Sequence, residues 1–395
     1  MNTDLIQAIH ASPLRLVMAV TGGGSLAVSD LLTEPGASRT ILEAVVPYGE
    51  QALVDFLSHK PEQFCSEKTA RRMAMAAFVR AMRLAKNNIL GVGCTCSLAS
   101  DRPKKGEHRA HWAVQSADQT WSASVVFAKG LRSRHKEERL VADLIATTIA
   151  TFIDGANHSE DVPESLQKLL RHDETVVLRT ATAPRYVPNV LFGKLPACRI
   201  LPGEWQANPA GDVDREELPE FLFPGSFDPM HRGHSRMLEI VRQKFGPNVR
   251  VALEIAVQNV DKPPMDYVDL HDRMVPIAQH LGMATVFVWL TQFALFAEKS
   301  DFFRDVTFMV GTDTLKRIAM TQYYCNDSSS ADTAIDQLIE NGCRFLCFAR
   351  RNENGEMETA DSLELPEKLR QMVISVPEDE FCDDISSTQL RVAGT

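Results

Sequence analysis

The sequence predicts two α/β domains, the C-terminal one a doubly wound parallel sheet. Three observations lead there. A chain of 395 residues exceeds what one ordinary hydrophobic core serves. From about residue 219 onward, short apolar runs alternate with helical patterns, the signature of strands joined by crossover helices. Residues 1–155 carry a strand and helix alternation of their own. A proline-rich stretch, 156–218, separates the two and reads as a structured connector.

In the first domain "LRLVMAV" (14–20) reads as a buried strand, followed by a glycine-rich turn, a short helix and a Pro-Gly stop. "SEKTARRMAMAAFVRAMRLAKN" (66–87) is a helix that Ser66 would cap. Strands are expected at 89–98, 108–116 and 121–129, and a second long helix at 133–155. Its "RHKEER" run reads as a solvated helix start. The connector offers strand candidates at "TVVLRTA" and "NVLFGK". Beyond it, "EFLFPGSF", "NVRVALEIAV", "ATVFVWLT", "VTFMVG", "CRFLCFARR" and "MVISVP" read as strands. "HSRMLEIVRQKFG" and "YVDLHDRMVPIAQHLG" read as helices, the second bent by Pro276.

Composition narrows the function classes. The chain is 44% hydrophobic and 24% charged, as expected of a globular protein. A formal net charge of −10 argues against nucleic acid as a partner held by bulk charge, while leaving room for a local basic pocket. There is no apolar run of membrane-spanning length and no basic segment leading into an apolar one at the start, so a cytoplasmic protein without a membrane partner is expected. The eight cysteines are scattered. Cys94-Cys96 and Cys343-Cys347 fit no two-pair zinc framework, so reduced thiols and no protein-built metal site are expected.

The densest group of special residues is "FPGSFDPMHRGH" (223–234). Gly225 and Ser226 follow a strand, where backbone N–H groups would face a phosphate without obstruction. Asp228-Pro229 makes a sharp turn, Gly233 allows close approach, and His231 and His234 can face one small volume beside a helix start. The histidines read as a zinc pair lacking a third ligand nearby, as structural residues at a turn, or as donors to a phosphoryl group. "ISSTQLR" (385–391) favours the last reading. Ser386, Ser387 and Thr388 form a helix-start cluster, and Ser387 and Arg391 share a helical face. Hydroxyls, amides and a guanidinium then converge on one anion. Taken alone, that segment is an ordinary capped helix.

Together, "GSFDPMHRGH" and "ISSTQLR" resemble the paired signatures of the HxGH nucleotidylyltransferase superfamily, and within it the nicotinamide or nicotinate mononucleotide adenylyltransferases. "VGTDTLKR" (310–317) resembles the family's central segment. The resemblance spans 219–395 and implies a Rossmann-like fold. It implies in-line attack of a mononucleotide phosphate on the α-phosphate of ATP, with pyrophosphate released. By the same resemblance His231, His234 and Arg391 would carry the reaction. Gly225, Ser226, Phe227, Gly233, Ser386, Ser387 and Thr388 would hold ATP, whose charge Mg²⁺ would offset. Lys262, Trp289, Gly311 and Asp313 are candidate acceptor or nucleoside contacts. Lys262 reads equally as a solvated loop residue, and Trp289 as core. "VALEIAVQNVDKPPMDY" departs from the Pro-His-Lys loop of the bacterial nicotinate mononucleotide enzymes, which leaves the acceptor open.

"VTGGGSLAVSDLLTEPGASRTILEAVVPYGEQAL" (20–53) resembles the CinA C-terminal domain, a family that includes nicotinamide mononucleotide deamidases. The matching residues are Thr21, Gly22, Gly23, the Pro35–Ser38 turn and Tyr48, and the resemblance covers about 1–155. Thr21, Gly22, Gly23 and Tyr48 are the candidate ligand loop, and His108, Arg109 and His111 read as exposed loop residues. The family's Glu-Ser pair falls on Met18 and Ala19 and its lysine on Leu53, so deamidase activity is expected to be lost. The function expected is adenylyl transfer to a pyridine mononucleotide. A cytidylyl- or adenylyltransferase acting on another phosphorylated acceptor and a non-catalytic nucleotide sensor are the alternatives, and a homo-oligomer is compatible with all three.

Overall fold

The computed structural model describes residues 3–102, 104–153, 155, 161–209, 217–257, 264–281, 286–320, 328–351 and 355–381. The chain divides into two compact units, Met1–Ala183 with Asp261–Leu270, and Pro184–Val260 with His271–Thr395.

The first unit runs α1 (Thr3–Ala11), β1 (Arg15–Thr21), α2 (Ser25–Thr33), α3 (Ala37–Thr40), β2 (Ile41–Val45), α4 (Glu50–Leu57), α5 (Glu67–Leu84), β3 (Ile89–Ser97), β4 (His108–Gln115), β5 (Gln119–Phe127), α6 (Arg134–Thr151), α7 (Glu164–Gln167) and β6 (Val176–Thr182). The described strands form one sheet in the order β2-β1-β3-β4-β5-β6. β1 pairs parallel with β2 and β3, and the remaining pairs are antiparallel. One face packs Met18, Val20, Val92, Cys94, Trp112 and Trp121 with Ile145 and Ile149 of α6. Trp112 Nε1 donates to Thr148 Oγ1 at 2.8 Å, satisfying the one polar atom of a fully buried indole. α5 covers the other face. It starts where expected, with Ser66 Oγ accepting from Thr69 N–H. It lies close on β3 because a Cβ at Gly91 would sit 2.1 Å from Ala74 O. The segment ending in Asp266 and Tyr267 is fastened into this unit. Arg71 of α5 pairs with Asp266 and with Glu67, and Tyr267 N–H donates to Thr120 Oγ1 at 2.9 Å.

The second unit runs α8 (Val187–Leu191), β7 (Ala197–Leu201), β8 (Gln206–Pro209), β9 (Phe221–Pro224), α9 (Arg232–Phe245), β10 (Val251–Ala256), α10 (Tyr267–Leu281), β11 (Val288–Thr291), α11 (Phe296–Phe302), β12 (Thr307–Gly311), α12 (Thr312–Ala319), α13 (Ser328–Glu340), β13 (Arg344–Phe348), β14 (Arg350–Arg351), β15 (Met357–Glu358), α14 (Glu367–Arg370) and β16 (Val373–Val376). α10 takes its first turn from the segment grouped with the first unit and contains Pro276. The large sheet has the order β16-β13-β12-β9-β10-β11-β7-β8. The strands from β16 to β11 pair parallel, while β7 and β8 add antiparallel at one edge. This is the mixed α/β architecture the alternation predicts.

The 156–218 stretch is shared out, with β6 joining the first sheet and β7 and β8 the second. "NVLFGK" corrects an expectation. It falls on α8 and the turn after it, with Pro188 in the helix's first turn, where its fixed φ is compatible with helix. The strand follows instead at Ala197–Leu201. No helix among the described residues is long and apolar enough to cross a membrane.

Candidate functional site

β9 lies inside the second sheet, and the chain order reverses around it. β10 and β11 follow on one side, and β12, β13 and β16 lie on the other. β12 pairs with β9 only at Thr307↔Phe221 and Phe308↔Leu222. Past that point Phe223 and Pro224 stay with β10, while Met309, Val310 and Gly311 stay with β13. The two strands therefore part toward their carboxyl ends. A crevice at a reversal of strand order is where such sheets take ligands.

The histidine motif leaves β9 at this crevice. Gly225 N–H donates to Glu254 O at 2.9 Å. The Phe227 ring folds back over Gly225, and a Cβ there would lie 2.8 Å from ring Cζ. Phe227 holds φ +44° and is buried, edge-on to Phe223 and His234. Its side chain thus builds the loop and leaves only backbone for a ligand. Arg273 Nη1 donates to Ser226 O at 2.9 Å, which ties the loop to α10. The Asp228-Pro229 peptide is cis. Below the loop, Glu254 is buried against Thr291 and Lys299, with Lys299 Nζ 2.6 Å from Glu254 Oε1.

α9 begins two residues earlier than the sequence suggests, so the histidines flank its first turn. His231 is the N-cap, in extended conformation, and His234 is the third helical residue. Their rings stack at 3.7 Å. His231 N–H donates to His234 Nδ1 at 3.2 Å. A backbone N–H can only donate, so Nδ1 is the acceptor and the proton of a neutral His234 sits on Nε2. Burial, and then the neighbouring His231, Arg350 and His280, push the His234 pKa down to about 3. At neutral pH His234 is an uncharged N–H donor at the mouth of a helix. Gly233, between the two, is buried.

Across the crevice, Gly311 caps α12 and Asp313 occupies its first turn. Arg350 lies beyond the end of β13, pairs with Asp313 at 3.1 Å, and is near enough to His234 to act on its charge. Arg350 and Arg273 are functional candidates that the sequence reading missed. "FARR" carries the usable signal, an arginine just past a strand's carboxyl end. Arg273 had none, because it faces the loop from mid-helix. The assignment of Trp289 as a possible base contact is corrected. The ring is 2% exposed and packed edge-on against Phe302 and Phe303, leaving no face for a base. Lys262, Ser386, Ser387, Thr388 and Arg391 lie outside the described residues.

In the first unit the glycine loop is filled from within. Gly22 holds φ +69°, and a Cβ on it would sit 2.0 Å from Cys96 O, so the glycine serves close approach to β3. Gly23 packs the same way against Cys96 and Leu98. Thr21 Oγ1 donates to Pro47 O, and Arg134 to Gly22 O. Glu138 accepts from Ser25 Oγ at 2.8 Å and Leu26 N–H at 3.2 Å, so a carboxylate of the chain takes the anion position at the start of α2. Glu137 accepts from Ala99 N–H and binds His108 Nδ1 at 2.7 Å. The "RHKEER" run is therefore not merely solvated, for Glu137 and Glu138 are both buried. His108 and His111 are not loop residues. They lie on β4, and burial together with Arg109 lowers the His111 pKa to about 4. Tyr48 is exposed, while Met18, Ala19 and Leu53 are buried in the apolar core.

Among solved structures the chain is similar to competence-damaged protein (CinA) superfamily proteins. The Escherichia coli one is 19% identical, covers 38% of this chain and 87% of its own, and gives a TM-score of 0.32. The Klebsiella pneumoniae one is 15% identical, covers 39% and 99%, and gives 0.33. A competence or damage-inducible protein from Enterobacter asburiae is 16% identical, covers 39% and 96%, and gives 0.31. No curated protein matches the chain. The cytidylyltransferase-like family model matches residues 222–393, which contain the crevice and both histidines. Residues 222–393 thus match a cytidylyltransferase-like domain of the HxGH nucleotidylyltransferase superfamily, which supports a nucleotidyltransferase-type function.

Proposed function

We propose that the second unit transfers AMP from ATP to nicotinamide or nicotinate mononucleotide and releases pyrophosphate. The observation that carries this reading is the stacked His231–His234 pair at the start of α9, facing the crevice where β9 and β12 part. An oxygen of the mononucleotide phosphate attacks the α-phosphorus. A new P–O bond forms, the bond from the α-phosphorus to the bridging oxygen breaks, and pyrophosphate leaves with that electron pair. The reaction needs no covalent intermediate, so the work is positioning and charge stabilisation. His234 Nε2–H and His231 donate to the phosphate oxygens that gain charge, and the Gly225 and Ser226 backbone lines the approach. Ser386, Ser387, Thr388 and Arg391 would hold the outer phosphates, Gly311 and Asp313 the nucleoside, and Lys262 the acceptor phosphate. Among the described residues no three histidine, cysteine, aspartate or glutamate side chains gather to hold a metal. Mg²⁺ would enter on the triphosphate, where it offsets phosphate charge.

The family's description as cytidylyltransferase-like favours one second reading, CTP as donor to another phosphorylated acceptor. For the first unit we propose no deamidase activity, because Met18, Ala19 and Leu53 provide neither a nucleophile nor a base. The test gives purified protein ATP or CTP, Mg²⁺ and a panel of phosphorylated acceptors, and measures pyrophosphate. Release with ATP and a pyridine mononucleotide is expected. Release with CTP alone would replace the donor, and no release with any pair would sink the enzyme reading. Ammonia freed from nicotinamide mononucleotide would contradict the assignment of the first unit.

A further inference from the structure

We infer that Asp313 is the resting counter-ion of Arg350, and that phosphate oxygens of the nucleotide or of pyrophosphate displace it. The inference rests on the nucleotidyl-transfer reading of this site. Gly311 of β12 pairs with Phe348 of β13, which places Arg350 two residues past the carboxyl end of β13, at the crevice. A Cβ built at Gly311 would touch Arg350 Cδ at 3.9 Å, so the arginine stem lies along the start of α12. Its charge reaches His234. The guanidinium meets the Asp313 carboxylate at 3.1 Å, with the two side chains 44% and 43% exposed.

A second ion pair joins the same elements and behaves differently. Lys316 of α12 binds Glu358, which sits opposite Arg350 in the β14–β15 ladder. It is the less exposed of the two, at 36% and 19%, and suffices to fasten the hairpin to α12. Asp313–Arg350 is half open to water, so it adds little stability and separates readily. The Thr312 hydroxyl beside it is fully buried and has no hydrogen-bond partner among the described residues, so this helix start has unused donor capacity. A polyphosphate offers Arg350 a stronger, bidentate partner than a single carboxylate. Once released, the Asp313 carboxylate is available to accept from ribose hydroxyls. The pair therefore holds both side chains in place until a nucleotide takes them over.

The test measures inorganic pyrophosphate and ATP binding to the full chain by calorimetry, with Mg²⁺ present. Arg350→Met should weaken pyrophosphate binding about tenfold or more, and Arg350→Lys should restore part of it. Asp313→Asn keeps the shape of the helix start and removes the competing charge. It should tighten pyrophosphate about two- to fivefold, the most that a half-exposed pair can hold back. A purely structural clamp predicts the same sign for both variants, so weaker binding in Asp313→Asn would overturn the inference. Unchanged binding in Arg350→Met would do so as well. If wild-type protein binds neither ligand, the transfer reading falls with it. If wild type binds and the variants do not differ, only this inference falls.

Discussion

Replacing His234 by alanine tests the site most directly. Among the described residues the His234 ring makes one hydrogen bond, accepting through Nδ1 from His231 N–H at 3.2 Å. That bond orients the ring and leaves Nε2–H as a donor held in place before substrate arrives. With a pKa near 3, the ring does not spend time as an imidazolium at neutral pH. Its contribution is therefore a preorganised neutral donor, comparable to one donor of an oxyanion hole. Losing such a donor costs about 10²–10³ in kcat, or roughly 2.7–4 kcal/mol of transition-state stabilisation. The fold loses much less. One hydrogen bond at a helix start is worth about 1 kcal/mol. The assay pairs initial rates of pyrophosphate release with a urea midpoint for the same sample. The expected result is a collapse of kcat with a KM for ATP that moves less and a midpoint that shifts slightly. A kcat near wild type would refute the assignment. A fall in rate that tracked a large loss of stability would show that the ring only builds the turn.

Two further predictions concern stability. Arg71→Leu strands Asp266, a buried carboxylate, without its cation, and should cost about 3–5 kcal/mol in a urea titration. Arg71→Leu combined with Asp266→Leu should recover most of it, and equal losses in the single and double variants would show that the pairing is not what matters. In the pH dependence, His234 and His111 titrate near 3 and 4 in the fold, against about 6.5 unfolded. Between those values the unfolded chain binds more protons, so stability falls as pH drops below about 6.5, by up to about 1.4 kcal/mol per unit for each ring. Midpoints from pH 7 to 4.5 should fall less steeply for His111→Gln than for wild type, and parallel curves would refute the burial argument.

Much of the fold was legible because period and punctuation agree with packing. "LRLVMAV" is apolar from Leu16 onward because β1 is covered on both faces there, and the Ser66 cap and Gly246 stop mark helix ends through local chemistry alone. "NVLFGK" was misread because a short apolar run has no period to decide between strand and helix, and Pro188 was the only local clue. The histidine pair was legible as a motif, but its tautomer was not, since that depends on a backbone geometry no spacing encodes. Arg273 was hidden for a related reason, since only the tertiary fold brings a mid-helix arginine to the Ser226 carbonyl. Glu137 and Glu138 looked solvated because adjacent charges in a helix usually are. Their burial is set by two loops that arrive from elsewhere in the chain.

The two glycine-rich strand ends show why such a loop is weak evidence by itself. Both follow a strand and lead into a helix, and by pattern either would cradle a phosphate. At Gly22 the missing side chain makes room for the Cys96 carbonyl, and Glu138 already occupies the helix start. An incoming phosphate there would meet a buried carboxylate and would have to displace it from two hydrogen bonds. At Gly225 the missing side chain makes room for Phe227, whose ring steers the backbone over the crevice, and the next helix starts with two histidines in place of an acid. The charge at the helix mouth separates the cases. One start is neutralised by the protein, and the other presents N–H donors with Arg350 nearby. Packing closes the first loop as well as charge, so Glu138→Gln alone should leave pyrophosphate binding unchanged. A second pyrophosphate site appearing in Glu138→Gln, seen as a stoichiometry near two in calorimetry, would show that the carboxylate alone had been keeping the loop from binding an anion.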